Sequence, residues 1–566
     1  MLKKSIAILL CVMIMSCMCM SAFGFSFPEP DWGALLKERE NMVTETEFEL
    51  YAEGQASSAP YYGQRLEPRA GTYIGSIAET SDRLRPLGSY LTYVEDMRQD
   101  DLYYPANDMI ENGNSVAMIG WTIDDLNGVD YSQVRKVLDN LNSYNKPMFI
   151  RFANEMNCSA LGDDPDKYIE VFRTVADMVH EYPNFAMVWS PNDMGALDRP
   201  FEYFYPGDEY VDWVGLSSYA TLYFAGKKDT AYKDTVYFMT GDYSWHTNRI
   251  KPFMDFLEKN NINKPVMISE GGVATGGKFG DNPESWVAPR LRNMLWYLVM
   301  KYPQIKMINY FDIYRSERDR YNISDLSYAV DIFYEAKDSG AYLTAYGEEP
   351  EFVFSPAKSA GTLYAENGSV PVYALAHFPE KPDATVNYYI DGNWSGSSSQ
   401  IPYKYNIDLG TLSDGEHTLK ISSYYNEKEY TFHKKGQMIS FSDSLGDEFV
   451  DTPIRVKVNG VFVEFDQQPV IQNDRTLVPL RKIFEALGAV VDWNADTRTV
   501  SAERDGTVVS LTIDSDELYV NDNIKRLDVP AQIMEGRTMV PARAIAESFG
   551  CNVDWDADTR TVIITE

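Results

Sequence analysis

The amino-acid sequence predicts a multidomain protein in which a (β/α)8 TIM barrel is followed by an all-β sandwich and then by a small α+β domain with two repeats. Three observations lead to this fold class. Short apolar runs alternate with amphipathic stretches over residues 70–347, strand and turn patterns follow over 351–437, and a 62-residue period runs through 445–566. At 566 residues the chain is too long for one core.

The first 24 residues have the pattern of a secretory signal peptide. Lys3 and Lys4 precede an apolar stretch from Ile6 to Met20, and small residues stand before a cleavage point near residue 24. No later apolar run reaches the roughly 18 residues of a membrane-spanning helix. We therefore expect a mature protein that is secreted or associated with the cell surface, in which residues 25–69 lead into the barrel.

The barrel is predicted over residues 70–347 from eight short apolar runs with helical patterns between them. The runs are Thr72–Gly75, Leu91–Val94, Val116–Trp121, Met148–Phe152, Phe185–Trp189, Trp213–Leu216, Val266–Ile268 and Met307–Phe311. The helical patterns cover Tyr131–Tyr144, Tyr168–His180, Asn248–Lys259 and Trp286–Lys301, and they are weakest after runs one, two and eight. Such alternation predicts parallel strands with crossover helices. An open doubly wound sheet is the alternative, but no Gly-x-Gly-x-x-Gly turn follows the first run.

The predicted sandwich covers residues 351–437. Its strand candidates are Val370–His377, Ala384–Ile390, Tyr403–Leu409, His417–Ser423 and Glu429–His433, and Asp-Gly turns at 391–392 and 414–415 separate some of them. This segment resembles the bacterial immunoglobulin-like modules that space domains apart in secreted proteins.

The last 120 residues contain the internal repeat. The heptapeptide Arg475-Thr-Leu-Val-Pro-Leu-Arg481 recurs as Arg537-Thr-Met-Val-Pro-Ala-Arg543, and each copy precedes a short helical pattern that ends at a glycine, Gly488 or Gly550. Residues 445–566 closely resemble the stalk-domain family named after the N-terminal domain of copper amine oxidases. The resemblance implies a module for attachment or spacing, with a cell-wall or surface polymer as a candidate partner.

Neither a metal nor another cofactor is expected, despite that family name. From Leu445 onward the chain has no histidine and a single cysteine, Cys551, so the ligands that copper prefers are missing. The net charge of −33 argues against nucleic acid or an anionic membrane as a partner. A neutral polysaccharide or a basic polymer is compatible with this charge, and so is a merely well-solvated secreted protein.

Two glutamates are the candidate catalytic residues. Glu155 follows the fourth apolar run and Glu270 follows the seventh, so each carboxylate is predicted at the C-terminal end of a barrel strand. Strands four and seven lie on opposite sides of a barrel mouth, and two facing carboxyl groups are what the hydrolysis of a glycosidic bond requires. Arg151, further inside on strand four, is expected either to stabilise a neighbouring carboxylate or to form a structural ion pair.

The segments around these glutamates resemble glycoside hydrolases of clan A, and most closely family 26, the β-mannanase family. The matching segments are Arg151-Phe-Ala-Asn-Glu155-Met-Asn157, Val188-Trp-Ser-Pro-Asn192, Tyr205-Pro-Gly-Asp-Glu-Tyr-Val-Asp-Trp-Val-Gly215 and Ile268-Ser-Glu270. The resemblance implies that Glu155 is the general acid/base, that Glu270 is the nucleophile and that Tyr219 donates a hydrogen bond to the nucleophile. Family 26 usually has histidine where this chain has Asn154, whereas Asn-Glu is the pairing of clan A at large.

Supporting residues are predicted from their chemistry. Asn154 could hydrogen-bond the sugar hydroxyl beside the reacting carbon. Sugar rings stack on aromatic faces, so Trp121 and Trp189 at strand ends, and Trp245 in the loop after strand six, are candidate platforms. The alternative for each aromatic residue is ordinary packing.

The leading functional hypothesis is a secreted retaining endo-β-glycosidase that cleaves a polysaccharide such as β-mannan. One alternative is a glucanase or xylanase of the same clan. Another is a carbohydrate-binding protein of the envelope or spore in which the barrel is inactive, although a binding module has no need of two catalytic glutamates and Asn154.

Overall fold

The structure of the chain is a computed structural model. It describes residues 48–77, 82–95, 113–193, 199, 201–220, 247–277, 280–314, 319–376, 384–423, 426–441, 454–463, 465, 467–472, 475–521, 523–534, 536–556 and 561–565. These residues divide between two compact units. The first takes its residues from 1–360, 371–405 and 419–429, and the second from 361–370, 406–418 and 430–566.

The first unit contains a closed barrel of eight parallel strands, as the sequence predicts. The strands are β1 (Thr72–Ile77), β2 (Ser89–Glu95), β3 (Val116–Thr122), β4 (Met148–Phe152), β5 (Phe185–Trp189), β6 (Trp213–Ala220), β7 (Val266–Val273) and β8 (Ile305–Tyr310). Each strand pairs with the next, and β8 pairs with β1 to close the sheet, with Met307 opposite Tyr73. All eight predicted strands are therefore confirmed.

The described part of the barrel region contains five long helical segments. They are α1 (Tyr131–Ser143), α2 (Pro165–His180), α3 (Thr247–Lys259), α4 (Glu284–Arg292) and α5 (Ser327–Lys337), and α4 continues through a π-helical turn, Asn293–Tyr297, into Leu298–Lys301. Asp130 caps α1, since its carboxylate accepts hydrogen bonds from two backbone N–H groups of the first turn. The sequence predicted α1 to α4, but α5 follows the eighth strand, where the helical pattern was weak.

Alternate residues of the strands fill the barrel interior. The interior cluster consists of Tyr73, Leu91, Val116, Met118, Phe149, Ala186, Val188, Trp213, Met267, Met307 and Leu343, all almost fully buried. Because side chains alternate across a strand, the intervening residues face outward, towards the surrounding layer. This alternation decides the direction in which each candidate site residue points.

The segment before the barrel differs from the prediction. Instead of only leading into the barrel, it contributes the strand Glu49–Gly54, which pairs antiparallel with Val353–Pro356 and with residues 372–375. The other β-strands that lie wholly in this unit are Gly276–Gly277, Gly280–Asp281, Asp319–Arg320, Tyr342–Leu343, Val386–Ile390 and Asn393–Ser398. This strand precedes the barrel in the sequence, but it pairs with strands that follow the barrel.

Four strands of the predicted sandwich are divided between the two units. They are Ser369–Leu375, Tyr403–Asp408, Gly415–Ser422 and Glu427–Lys435. The structure also has the strand Asn393–Ser398, which the sequence did not predict. Antiparallel pairing prevails here, with Val386–Ile390 paired to Asn393–Ser398 and to residues 419–422.

The second unit contains the repeats. Its helices are Leu480–Ala486 and Ala542–Ser548, and Gly488 and Gly550 follow them with positive φ, as predicted. Its strands are Thr362–Tyr364, Met438–Ser440, Arg455–Val458, Val461–Phe462, Val470–Gln472, Arg475–Pro479, Val490–Asn494, Thr499–Arg504, Thr507–Thr512, Glu517–Val520, Asn523–Arg526, Gln532–Met534, Arg537–Pro541, Asn552–Asp556 and Thr561–Thr565. Equivalent strands of the two repeats pair antiparallel, with Val478 opposite Val540.

Candidate active site

A β-bulge in β7 turns Glu270 into the barrel. Gly215 pairs with Met267 and Leu216 with Ile268, but the next residue of β6, Ser217, pairs with Glu270, so that Ser269 is an extra residue. In a strand with unbroken alternation, Ser269 would share the inward face with Met267, and Glu270 would face outward. The sequence predicted a strand that ends at Glu270, whereas β7 continues to Val273.

Three donors surround the carboxylate of Glu270. Arg151 Nη1 lies 2.8 Å from Oε2, the Tyr93 hydroxyl donates to the same oxygen, and the Tyr219 hydroxyl donates to Oε1. Burial raises the pKa of each tyrosine well above its usual value, and the charge of Glu270 raises it further, so both remain neutral donors. These contacts stabilise the negative charge of Glu270.

Arg151 is fully buried and uses its guanidinium to connect three strands. Besides the contact with Glu270, its Nε donates to Ser190 Oγ over 3.0 Å and its Nη2 donates to Ser217 Oγ over 2.5 Å. Burial lowers the pKa of Arg151, but Glu270, Tyr93 and Glu155 outweigh that effect and raise it overall. Arg151 therefore stays charged, and it serves both the structural and the supporting role that the sequence left open.

Glu155 stands just beyond the end of β4 in a constrained backbone. Ala153 and Glu155 have φ values of 47° and 58°, in the left-handed region that non-glycine residues rarely adopt. The Glu155 N–H donates to the carbonyl of Ser190 over 2.8 Å, which fixes this turn against the end of β5. The strained turn directs the Glu155 side chain to the side of the barrel where Glu270 lies.

The environment of the Glu155 carboxyl group favours its protonated form. Burial raises its pKa above the usual value, and the charge of Glu270 adds to the increase. Arg151 and hydrogen bonds from Ser217 and Asn192 act in the opposite direction without cancelling it. Asn192 Nδ2 lies 3.1 Å from Glu155 Oε1. The two glutamates thus occupy contrasting environments, although both lie at the same end of the barrel.

Asn157 holds Asn192 in place. Its Nδ2 donates to the backbone carbonyl of Asn192, and its Oδ1 accepts from the Asn192 N–H, both over 2.8 Å. Asn157 and Asn192 lay within the segments that carried the resemblance, but their partnership could not be inferred from sequence. Asn154 stands beside Glu155, and its buried Oδ1 has no hydrogen-bond partner among the described residues.

Two of the three candidate tryptophans, Trp189 and Trp121, point away from this site. Ala186 and Val188 belong to the interior cluster, so Trp189 points outward, where its ring packs against Phe253 and Phe256 of α3. Trp121 likewise alternates with Met118 and packs edge-on against Phe152. Both are fully buried, which corrects the expectation that they face the opening. Trp245 lies outside the described residues.

Tyr93 and Ser217 are the site residues that sequence reasoning missed. Tyr93 lies within the second apolar run, where the pattern predicts that a tyrosine packs in the core. A Cβ atom at Gly120 would lie only 2.7 Å from the Tyr93 ring. The small residue at 120 therefore makes room for Tyr93. Ser217 directly follows the sixth apolar run, but nothing in the sequence distinguishes it from Ser218.

Fold and site together define the class of this region: a (β/α)8 barrel with a charge-stabilised glutamate at one strand and a glutamate that favours its protonated form at another, the arrangement of a glycoside hydrolase. Residues 119–271 match the model of glycosyl hydrolase family 26. Residues 355–421 match the bacterial Ig domain, and 457–564 match the copper amine oxidase N-terminal domain. All three family resemblances are confirmed. No group of three potential metal-ligating side chains occurs among the residues described.

Curated relatives share limited segments with this chain. The chain is 29% identical over 125 residues to the β-1,3-xylanase TXYA of a Vibrio species and 27% identical over 125 residues to a β-1,3-xylanase of an Alcaligenes species. It is also 30% identical over 119 residues to a protease inhibitor of Brevibacillus choshinensis. These stretches cover 20–21% of this chain, and they span 26%, 25% and 35% of the respective relatives.

Solved structures with similar chains include two mannanases. An endo-β-1,4-mannanase double mutant of Cellulomonas fimi has a TM-score of 0.37 at 13% identity, with 67% of this chain and 99% of that chain covered. A family 26 β-mannanase of Bacteroides ovatus has a TM-score of 0.35 at 14% identity, with 50% and 92% covered.

Proposed function

We propose that the barrel hydrolyses a β-linked polysaccharide with retention of anomeric configuration, with Glu270 as nucleophile and Glu155 as general acid/base. The observation that carries this proposal is the contrast between the two carboxyl groups. Glu270 receives hydrogen bonds from Arg151, Tyr93 and Tyr219, whereas burial and the charge of Glu270 raise the pKa of Glu155. A nucleophile must be ionised and a general acid protonated at the same pH.

The reaction follows from these charge states. Glu270 attacks the anomeric carbon while Glu155 gives its proton to the departing glycosidic oxygen, which yields a glycosyl ester on Glu270 and an ionised Glu155. Glu155 then removes a proton from water as the water displaces Glu270, and both groups return to their starting states. Asn154, whose buried Oδ1 has no partner in the described part of the chain, is proposed to hydrogen-bond a substrate hydroxyl.

For the substrate, β-mannan and β-1,3-xylan are the two candidates. The match to the family 26 model favours a backbone of the β-mannan type. The likeness to two β-1,3-xylanases favours β-1,3-xylan. Asn154, which stands where family 26 usually has histidine, is compatible with a substrate other than mannan. We propose an endo mode of action, because loops around a barrel mouth can form a cleft that binds an internal stretch of a polysaccharide.

The N-terminal pattern supports secretion as a further part of this proposal. The Ig-like and repeat modules would then hold the enzyme near a cell-wall or surface polymer. Co-sedimentation of the full chain with purified cell-wall material, measured beside a chain that ends at residue 441, tests the attachment. Equal sedimentation of both chains would contradict a role for the repeats.

The activity is tested by incubating the full chain with β-mannan, glucomannan, β-1,3-xylan, β-1,4-xylan, lichenan and laminarin, and by measuring released reducing ends. Glu270→Ala and Glu155→Ala should each remove release while circular dichroism stays unchanged. Proton NMR of the first product should show the β anomer, and long oligosaccharides should appear before short ones. Unchanged activity in either variant would refute the assignment, and no release from any polymer would favour the binding-protein alternative.

A further inference from the structure

The side chain of Asn192 lies against the carboxyl group of Glu155. Its Nδ2 donates to Glu155 Oε1 over 3.1 Å. Asn192 follows the end of β5 and is 5% exposed, so this contact is shielded from water. The Glu155 N–H in turn donates to the carbonyl of Ser190 over 2.8 Å, two residues before Asn192. The carboxyl group and the amide that contacts it are therefore carried by two segments that are bonded to each other.

The backbone around Asn192 is fixed on two sides. On one side, Asn157 Oδ1 accepts from the Asn192 N–H and Asn157 Nδ2 donates to the Asn192 carbonyl, both over 2.8 Å. On the other side, the flanking residues bond to β6. The Ser217 N–H donates to the carbonyl of Pro191, and the Asp193 N–H donates to the carbonyl of Ser217, each over 3.0 Å. These bonds set where the Asn192 side chain can reach.

The nitrogen of an amide side chain can only donate, and this decides which Glu155 oxygen carries the proton. A protonated carboxyl group has one carbonyl oxygen, which is the stronger acceptor, and one hydroxyl oxygen. Because Asn192 donates to Oε1, Oε1 is the carbonyl oxygen and Oε2 carries the proton. Once the proton has left, Oε1 shares the negative charge, and the hydrogen bond from the amide becomes stronger.

We propose that Asn192 is a positioning residue that places the transferable proton on Glu155 Oε2 and stabilises the Glu155 carboxylate once the leaving group has taken that proton. This inference rests on the proposed function, because it assigns a part in proton transfer to a neighbour of Glu155. The proton passes from Oε2 to the glycosidic oxygen as the bond from that oxygen to the anomeric carbon breaks. A hydrogen bond that strengthens during this step lowers its barrier, whereas one of constant strength would not.

Other charged and titratable groups also surround Glu155. Glu270 opposes the ionisation of Glu155, and Arg151 favours it. The remaining groups are Tyr93, Tyr219 and Cys158. All of these groups are retained when Asn192 is replaced by alanine. A changed titration of Glu155 in that variant therefore reports on the lost amide.

The kinetic test compares two leaving groups in Asn192→Ala. The substrates are phenyl and 2,4-dinitrophenyl β-mannobiosides or β-xylobiosides, chosen by the sugar that the polysaccharide assay identifies. We expect kcat/KM to fall about tenfold with the phenyl group, which needs the proton, and to stay unchanged with the dinitrophenyl group, which does not. Equal losses with both groups would overturn the proposal, because they would place the defect in the nucleophile or in substrate binding.

Two further asparagine variants separate this role from general support of the fold. Asn157 reaches Glu155 through Asn192, so Asn157→Ala should reproduce the selective loss and add little to it in the double variant. Asn309 is a fully buried asparagine of β8 whose Oδ1 accepts from Ser89 Oγ over 2.5 Å. Asn309→Ala should lower the melting temperature without a selective loss. A loss in Asn309→Ala that depends on the leaving group, or additive losses in the double variant, would contradict the proposal.

A second readout needs no substrate. In protein labelled with [δ-13C]glutamate, the carboxyl signal that is absent from Glu155→Gln belongs to Glu155, and its pH midpoint measures the pKa of that group. The midpoint should rise by about one pH unit in Asn192→Ala, which loses a donor to the charged form. It should rise further in Asn192→Asp, which adds a like charge, and stay in place in Asn309→Ala.

An unmoved or lowered midpoint in Asn192→Ala would refute the role of Asn192. A raised midpoint in a protein that hydrolyses none of the polymers would instead contradict the proposed function, while it would support the hydrogen bond between Asn192 and Glu155.

Discussion

Arg151 and Glu270, which lie on the fourth and seventh strands of the barrel, form a buried ion pair in which Nη1 is 2.8 Å from Oε2. The arginine side chain is fully buried, and the glutamate side chain is 12% exposed. Desolvation makes such a pair costly unless its remaining donors and acceptors are satisfied. Ser190 and Ser217 accept from Arg151, while Tyr93 and Tyr219 donate to Glu270, so each guanidinium nitrogen and each carboxylate oxygen has a hydrogen-bond partner.

Replacing Arg151 with lysine should lower kcat/KM about 100-fold. An ammonium group keeps the charge but cannot donate to Glu270, Ser190 and Ser217 in the planar arrangement of a guanidinium. The matched control is Arg135→Lys on α1, which alters a surface pair with Glu181 at the end of α2 and should leave kcat/KM unchanged. Hydrolysis of the preferred polysaccharide is the measurement, and similar kinetics for the Arg151 variant and the wild type would contradict a role in stabilising the nucleophile.

Removing either tyrosine hydroxyl at Glu270 should slow the reaction. Tyr93→Phe and Tyr219→Phe are each expected to lower kcat/KM about tenfold, because each takes one hydrogen bond from the nucleophile. Tyr310→Phe is the control, since Tyr310 is also buried in the barrel but bonds the backbone of Val273. It should lower stability by about 1 kcal/mol without changing kcat/KM. Steady-state kinetics and thermal unfolding separate these outcomes.

The effect of Glu155 on stability should depend on pH. In the folded state the pKa of Glu155 is raised above its unfolded value of about 4.3. At a pH between these two pKa values the folded state therefore binds more protons than the unfolded state. The free energy of unfolding then falls as the pH rises through this range. Glu155→Gln should therefore raise the melting temperature at pH 8 and have little effect at pH 4. The pKa of Glu181 is instead lowered by its hydrogen bonds to Arg135, so Glu181→Gln should change stability in the opposite direction. A destabilised Glu155→Gln at pH 8 would show that the fold favours the charged carboxylate.

Trp189→Ala should lower the free energy of unfolding by about 3–5 kcal/mol, because the ring is fully buried between β5 and α3. Trp394→Ala, which removes a ring that is 63% exposed, should change it by less than about 0.5 kcal/mol. Denaturant unfolding measures both values. An unaltered stability together with a higher KM for Trp189→Ala would instead indicate that this tryptophan contacts the sugar chain.

The strand Glu49–Gly54 should be essential for stability, although it precedes the barrel. Leu50 is fully buried and lies opposite Ala374, so Leu50→Ala should cost about 2–5 kcal/mol. Gln55→Ala, just beyond the strand at an exposed position, should be nearly neutral. Equal melting temperatures for the two variants would show that the strand is dispensable.

Local pattern was enough to predict the barrel strands and four of its helices, because apolar periodicity reports directly on which residues are buried. It was weaker for α5, Ser327–Lys337, and for the hairpin strand Asn393–Ser398, whose residues are mostly exposed and polar. It could not pair Glu49–Gly54 with Val353–Pro356, because that pairing joins segments about 300 residues apart. Pairing over such distances depends on the folded chain and leaves no signal in either segment.

The sequence by itself determined the architecture of the barrel and the repeat domain, and it singled out the two glutamates as candidates, because these depend on short-range pattern and on chemistry that few residue types can perform. Tertiary structure alone decided which way the side chains point. One extra residue, Ser269, turns Glu270 inward, while unbroken alternation turns Trp189 outward. Tyr93 and Ser217 joined the site for the same reason, since a strand's neighbours and register, and not its own residues, decide what its side chains contact.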